Sequence, residues 1–178
     1  MNEKLKNRLE FLYKGERFAI IIFIPLAFLI SYTYPNLKLY LLISFWVSFF
    51  FLEFILIQGA YFWYSKWKRL TIEKKSITPL KTVKNLKRLQ SINIGIMTFA
   101  VILFFIDVYI HYPLLPIEGL LISGFILIFA SLEFINYFYV QLSYDNKSDI
   151  KYLLKNKKLK QSCLNQDIKR ITDKTWQR

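Results

Sequence analysis

The chain has 178 residues, of which 54% are apolar and only 21% are charged, and its mean hydropathy is +0.30. This composition is too apolar for a soluble domain of such length and predicts a membrane protein. The one cysteine, Cys163, excludes a disulfide within the chain and a cysteine-based metal site. The formal net charge of +13 has to be explained by its distribution along the chain.

Four apolar segments follow one another, and each is long enough to cross a hydrocarbon layer of about 30 Å. They predict an all-α fold, a four-helix transmembrane bundle. The first segment follows a basic stretch but lacks a small-residue cleavage site at its end, so we expect a retained membrane helix rather than a signal peptide. The predicted membrane segments cover residues 18–34, 39–64, 92–112 and 119–143.

Basic residues are concentrated in the N-terminal stretch, in the connection between the second and third segments and in the tail, whereas the other two connections contain only Lys38. Since cytoplasmic loops carry the excess of Lys and Arg, both termini and the middle connection are predicted to be cytoplasmic. Without a nucleic-acid-binding motif beside them, these residues indicate contact with anionic lipid headgroups rather than with nucleic acid. The predicted membrane-surface residues are Lys66, Lys68, Arg69, Lys84, Lys87, Arg88, Lys155, Lys157 and Lys158.

A shift of the chain against itself that places Glu53 on Glu133 aligns the whole "LEFI" tetrapeptide at both positions, with further matches on either side. This match predicts two tandem helical hairpins, each with a short basic cytoplasmic helix, a membrane helix, a tight outer turn and a second membrane helix. Both hairpins start and end on one side, so a pseudo-twofold axis along the membrane normal is expected. The hairpins cover residues 1–80 and 81–144, and a basic, partly helical tail covers residues 145–178.

Glu53 and Glu133 each lie within an apolar segment, where a charge facing lipid costs about 3 kcal/mol, so both are expected to face the bundle interior. The four segments contain no Lys or Arg, which leaves a neutral carboxyl, hydrogen bonds, a bound cation or a wet cavity. The functional hypothesis is a proton or cation site at the repeat interface, formed by Glu53, Glu133, Gln58, Tyr137 and Gln141. The structural alternative is a hydrogen-bonded pair that fixes the helix register.

No enzyme motif is present, and a single histidine precludes most catalytic triads, so we expect no enzymatic activity, no cofactor and no bound metal. Asp107 and His111, four residues apart near the outer end of the third segment, either form a hydrogen bond that reports external pH or mark the membrane interface. The tail has apolar residues at helical spacing and is predicted to lie on the membrane surface or to bind a protein partner.

Several segments carry a resemblance to a known family: "LEFLYKGERFA", "FWVSFFFLEFILIQG", "WYSKWKRL" and "LEFINYFYVQLSYDN". They resemble small four-pass bacterial membrane proteins that carry the loose label "general stress protein". The resemblance covers most of the chain. It implies the bacterial cytoplasmic membrane and a stress context, and it supplies no catalytic residues.

Three functions remain open from the sequence. The first is a small non-enzymatic membrane protein related to envelope stress, which acts through lipids or through a membrane or cytosolic protein. The second is a proton- or cation-coupled transporter or channel that uses the paired intramembrane glutamates, as a homo-oligomer because four helices leave little room for a pathway. The third is an immunity or resistance factor that protects the membrane.

Overall fold

The computed structural model describes residues 3–143, 147–156 and 158–175, and this part of the chain is built from helices. Four of them are long and apolar enough to cross a membrane, which confirms the predictions of an all-α fold and of a multi-pass membrane protein. The helices are α1 (Glu3–Thr33), α2 (Ile43–Glu73), α3 (Leu80–Ile110), α4 (Ile117–Phe138), α5 (Lys147–Asn156) and α6 (Cys163–Thr175).

The helix boundaries differ from those of the apolar segments. α1 begins at Glu3 and α3 at Leu80, so the basic stretches continue into the membrane helices instead of forming the separate short helices predicted. Prolines adjoin three boundaries: Pro35 follows α1, Pro79 precedes α3 and Pro116 precedes α4. Pro79 and Pro116 are tolerated because the first N–H groups of a helix have no helical partner, and Pro35 begins the short 3-10 helix Pro35–Leu37. α4 ends at Phe138, short of the predicted end at residue 143.

α2 is the central helix, since it packs against α1, α3 and α4. In the apolar 18-residue stretch of α2, 61% of the residues are buried, against 6% in the corresponding stretch of α1. Most of α1 therefore presents its side chains to the surroundings, as expected of a helix in contact with lipid.

Contacts along α2 establish the direction of α3. At the start of α2, the carboxylate of Asp107 accepts a hydrogen bond from the amide of Ser44, with a distance of 2.7 Å. Further along α2, Gln58 is hydrogen-bonded to Asn93. Because the partner's number falls as the α2 number rises, α3 runs antiparallel to α2.

Ring contacts establish the directions of α1 and α4. Phe28 of α1 lies 5.2 Å from Trp46, and Tyr13 lies 5.3 Å from Trp67, so α1 also runs antiparallel to α2. α4 runs parallel to α2, because Leu42 lies beside Gly119 and Gly59 lies beside Tyr137.

As a consequence, α1 and α3 begin at the same end of the bundle at which α2 and α4 end. We call this the charged end. α6 also packs there, against α3 and α4. Leu164 and Ile168 of α6 join the main apolar core, with 2% and 8% of their surfaces exposed. This packing places the tail helix on the bundle itself, an arrangement that the sequence analysis did not foresee.

Candidate functional site

A cavity of about 280 Å³ lies at the charged end. Its wall is formed by α1, α2 and α4 together with the chain on either side of the start of α6. Leucine and aromatic side chains share this wall with polar ones. The acidic and basic side chains that line it are Arg8, Glu16, Lys66, Glu133 and Lys160.

The two acids of the cavity accept hydrogen bonds from neutral groups. The hydroxyl of Tyr137 donates to Oε1 of Glu16, and Nδ2 of Asn136 donates to Oε2 of Glu133 at 3.3 Å. Tyr137 is buried, with 7% of its surface exposed. A carboxylate in a partly buried site is most strongly stabilised by a cationic donor, and neutral donors satisfy it only in part.

Gly59 allows Tyr137 to reach Glu16. A Cβ added to Gly59 would lie 2.5 Å from Cζ of Tyr137, which is closer than side chains can approach. The tyrosine ring therefore lies directly on the backbone of α2. This close approach of α4 to α2 positions the hydroxyl against the carboxylate of α1.

The chain after α4 returns to the bundle and covers the cavity. The amide of Gln141 donates to the carbonyl oxygen of Lys160 at 2.8 Å, and the amide of Ser162 donates to that of Tyr139 at 3.2 Å. The hydroxyl of Ser162 donates to the carbonyl of Tyr137 at 2.6 Å and accepts from the amide of Asn165 at 3.0 Å. Ser162 is therefore the N-cap of α6, since it satisfies an amide that has no helical partner.

Asp167 attaches α6 to the bundle. Its carboxylate accepts hydrogen bonds from Thr78 at 2.6 Å and from Arg170 at 2.9 Å, and it lies 3.6 Å from Nζ of Lys66. Only 5% of Asp167 is exposed. This buried carboxylate therefore links α6 to the end of α2 and to the connection before α3.

The structure does not bring the two sequence-predicted glutamates to one site. Glu133 lines the cavity, whereas Glu53 does not. Glu53 is buried, with 7% of its surface exposed, and both its carboxylate oxygens lack a hydrogen-bond partner in the described part of the chain. Glu53 lies two helical turns after Trp46, the residue that contacts Phe28, so its side chain is on the face of α2 that packs on α1.

Gln58 also lies away from the cavity. Its Nε2 donates to Oδ1 of Asn93, and Nδ2 of Asn93 donates to its Oε1, both at 2.9 Å. Gln141 does line the cavity, and its Nε2 donates to the carbonyl of Ser143 at 2.7 Å. The cavity therefore unites Glu133, Tyr137 and Gln141 of the predicted set.

The predicted basic residues of α2 and α3 lie at the charged end. Lys66 is half-buried beside Asp167, and Arg69 donates to Glu73 at 3.0 Å. Lys157 lies outside the described residues. The exposed members are Lys68, Lys84, Lys87, Arg88, Lys155 and Lys158.

Three residues that matter here were not singled out from the sequence: Glu16, Asn93 and Asp167. Asn93 was open to detection, because it is a polar residue within an apolar segment. Glu16 and Asp167 lie in charged stretches, where an acid normally faces water, and only the folded chain shows that Glu16 lines the cavity and that Asp167 is buried. Their partners, Tyr137 and Lys66, are far away in sequence.

Asp107 and His111 are in contact, but their side chains do not bond to each other. Nδ1 of His111 lies 2.9 Å from the backbone oxygen of Asp107, so they are hydrogen-bonded through the main chain. The Asp107 carboxylate instead binds the amide of Ser44, in the first turn of α2, where amides lack helical partners and the helix dipole favours a negative charge.

Comparisons with protein-family models, with curated proteins and with solved structures found no match to this chain. The resemblance to general stress proteins therefore stays a prediction. Within residues 3–143, 147–156 and 158–175, no group of three or more His, Cys, Asp or Glu side chains is arranged to hold a metal ion. The cavity and the distribution of charge are the features of the molecule that bear on its function.

Proposed function

We propose that this is a small, non-enzymatic, multi-pass protein of the bacterial cytoplasmic membrane that acts through lipid contacts at its charged end. In this proposal the chain forms two tandem hairpins, and both termini lie in the cytoplasm. The observation that supports it is the gathering of exposed basic side chains at one end of four apolar helices.

Electrostatics supports a lipid contact at this end. Each basic side chain near an anionic membrane surface strengthens membrane binding by about 1 kcal/mol. The attraction is to the anionic headgroups and is found in any membrane that contains them. Lys68, Lys84 and Arg88 are exposed, and they belong to the end of α2 and the start of α3. Lys38 is the one basic residue in the two predicted outer connections, and it is also exposed.

Lipid analysis of the purified protein tests this function. The triple variant Lys68→Gln, Lys84→Gln, Arg88→Gln should lose at least about tenfold of its preference for phosphatidylglycerol over phosphatidylcholine, as measured by mass spectrometry of bound lipid. The variant Lys38→Gln is the matched control and should keep the preference. An unchanged preference in the triple variant would contradict the proposal.

Glu53 favours a second candidate function, a proton- or cation-coupled transporter or channel. An acid in an apolar bundle with no hydrogen-bond partner among the described residues is costly, and such residues often lie on ion pathways. Proton and cation flux should be measured in liposomes that contain the wild type, Glu53→Gln or Glu133→Gln. Flux that is lost in Glu53→Gln while the fold is retained would support transport, and equal flux in all three would remove this candidate.

Other parts of the sequence-based hypothesis stay predictions: a stress context, a homo-oligomer, a protein partner and a role in immunity or resistance. Co-purification of a stable partner from native membranes would support action through a protein instead of through lipids alone. If the partner were lost when residues 145–178 were removed, the tail would be assigned to that surface.

A further inference from the structure

We propose that the cavity at the charged end binds the headgroup of a phospholipid that carries both a phosphate and a primary amine. This inference rests on the proposed membrane location of the charged end, and it adds a specific site to the general surface contact described above. It is carried by the charges, the apolar wall and the position of the cavity.

The two acids of the cavity suit an amine. Glu16 and Glu133 are held by Tyr137 and Asn136, which are neutral donors. A primary ammonium group has three N–H donors and can bind both carboxylates at once, whereas a fully methylated ammonium has none. Phe62 and Trp63 also line the cavity, and Nζ of Lys66 lies 5.5 Å from the centroid of the Phe62 ring.

The basic side chains of the same cavity suit a phosphate. Arg8, Lys66 and Lys160 line it together with the acids. Guanidinium and ammonium groups form charge-assisted hydrogen bonds with phosphate oxygens. Nζ of Lys66 lies 3.6 Å from Asp167, and this ion pair holds the Lys66 side chain at the charged end. A ligand with charges of both signs satisfies such a wall better than a simple anion or cation would.

The leucine side chains on the wall and the position of the cavity at the level of the lipid headgroups suit a lipid. Leu5, Leu9 and Leu12 of α1 line the space. Glu16 lies just before the apolar segment that begins at residue 18, which is the level of the headgroups if the segment spans the hydrocarbon layer. The volume of about 280 Å³ is close to the lower limit of small-ligand sites, about 300 Å³, so it suits a headgroup with its acyl chains outside.

A metal ion is a weaker explanation of the same acids. The described residues contain no group of three or more His, Cys, Asp or Glu side chains arranged around a metal. The cavity is also larger than one ion needs, and basic side chains on its wall would repel a cation that brings no negative charge with it.

Native mass spectrometry of the delipidated full chain tests the proposal. Phosphatidylethanolamine and phosphatidylcholine with identical acyl chains are added at equal concentrations. We expect phosphatidylethanolamine to be retained at least about fivefold more than phosphatidylcholine. Equal retention of phosphatidylethanolamine and phosphatidylcholine would overturn the proposal, because these headgroups differ only in methylation of the amine.

Cavity variants identify the site. Glu16→Gln with Glu133→Gln should abolish the preference for phosphatidylethanolamine, and Glu133→Gln alone, which keeps the side-chain shape, should reduce it severalfold. Glu53→Gln is the matched control and should retain it. An undiminished preference in the folded Glu133→Gln protein would assign the lipid to another site and overturn the proposal.

Two further arms separate this inference from its alternatives. Glycerophosphoethanolamine, which has the headgroup without acyl chains, should bind much more weakly than the lipid. Binding of equal strength would indicate a soluble ligand and overturn the assignment to lipid. The triple variant of Lys68, Lys84 and Arg88 should lose the anionic-lipid preference but keep the phosphatidylethanolamine preference, so the surface contact and the cavity fail separately.

Discussion

The two "LEFI" segments of α2 and α4 are identical in sequence and differ in surroundings. They run side by side, since the rings of Phe51 and Phe134 lie 6.5 Å apart. Glu133 lies in a polar cavity and accepts a hydrogen bond from Asn136. Glu53 is buried with both carboxylate oxygens unpartnered among the described residues.

The difference arises outside the repeated tetrapeptide. After Glu133 the chain continues with Asn136 and Tyr137, and the segment before α6 folds back over them. After Glu53 the corresponding positions are Leu56 and Ile57. The same acid is therefore supplied with polar neighbours in one half and with apolar neighbours in the other. Two identical tetrapeptides can therefore hold the same acid in different chemical surroundings.

Among the variants that test the difference between Glu53 and Glu133, removal of the Asp167 carboxylate should have the largest effect, because it releases α6 from the cavity in which Glu133 lies. Asp167→Ala leaves Lys66 half-buried without its acidic partner and should lower the free energy of unfolding by about 3 kcal/mol. Thermal unfolding in detergent measures this loss. Cys163, which lines the cavity, should react with a maleimide at least about tenfold faster, because the cover opens more often. Unchanged labelling would show that Asp167 does not hold the cover.

A methyl group at Gly59 should disturb the Glu133 side of the comparison alone. Gly59→Ala forces the Tyr137 ring to move and should lower the free energy of unfolding by about 2 kcal/mol. Gly15→Ala is the matched control, because no atom lies within 4 Å of the added Cβ. It should be neutral or stabilise α1 by up to about 1 kcal/mol. If both variants unfolded at the same temperature, the close packing of α4 on α2 would be contradicted.

Leucine in place of each acid should give effects of opposite sign and smaller size. Glu53→Leu removes unpartnered polar atoms and should raise the free energy of unfolding by about 1 kcal/mol. Glu133→Leu leaves the Asn136 amide without its acceptor and should lower the free energy by about 1 kcal/mol. Detergent unfolding curves of both variants provide the test. A loss of stability in Glu53→Leu would mean that its carboxylate has a partner.

The sequence was sufficient to predict the four apolar helices, because their length and hydropathy are local properties. It was not sufficient to predict which polar residues bond to each other, because helix packing decides those pairs. Gln58 was grouped with the glutamates, and it binds Asn93 on α3 instead. The docked tail was missed because its apolar positions, such as Leu164 and Ile168, are equally compatible with a membrane surface. Only the contact of α6 with α3 and α4 distinguishes the two arrangements.

The reciprocal amide pair of Gln58 and Asn93 has a consequence for the biogenesis of the protein. During synthesis α2 is made before α3, so Gln58 enters the bilayer before its partner exists. Its Nε2 also donates to the backbone oxygen of Phe54 on the same helix at 3.1 Å, but its Oε1 lacks a donor until α3 brings Asn93. A nascent chain arrested before α3 would therefore expose an amide oxygen without a donor to the membrane quality-control machinery.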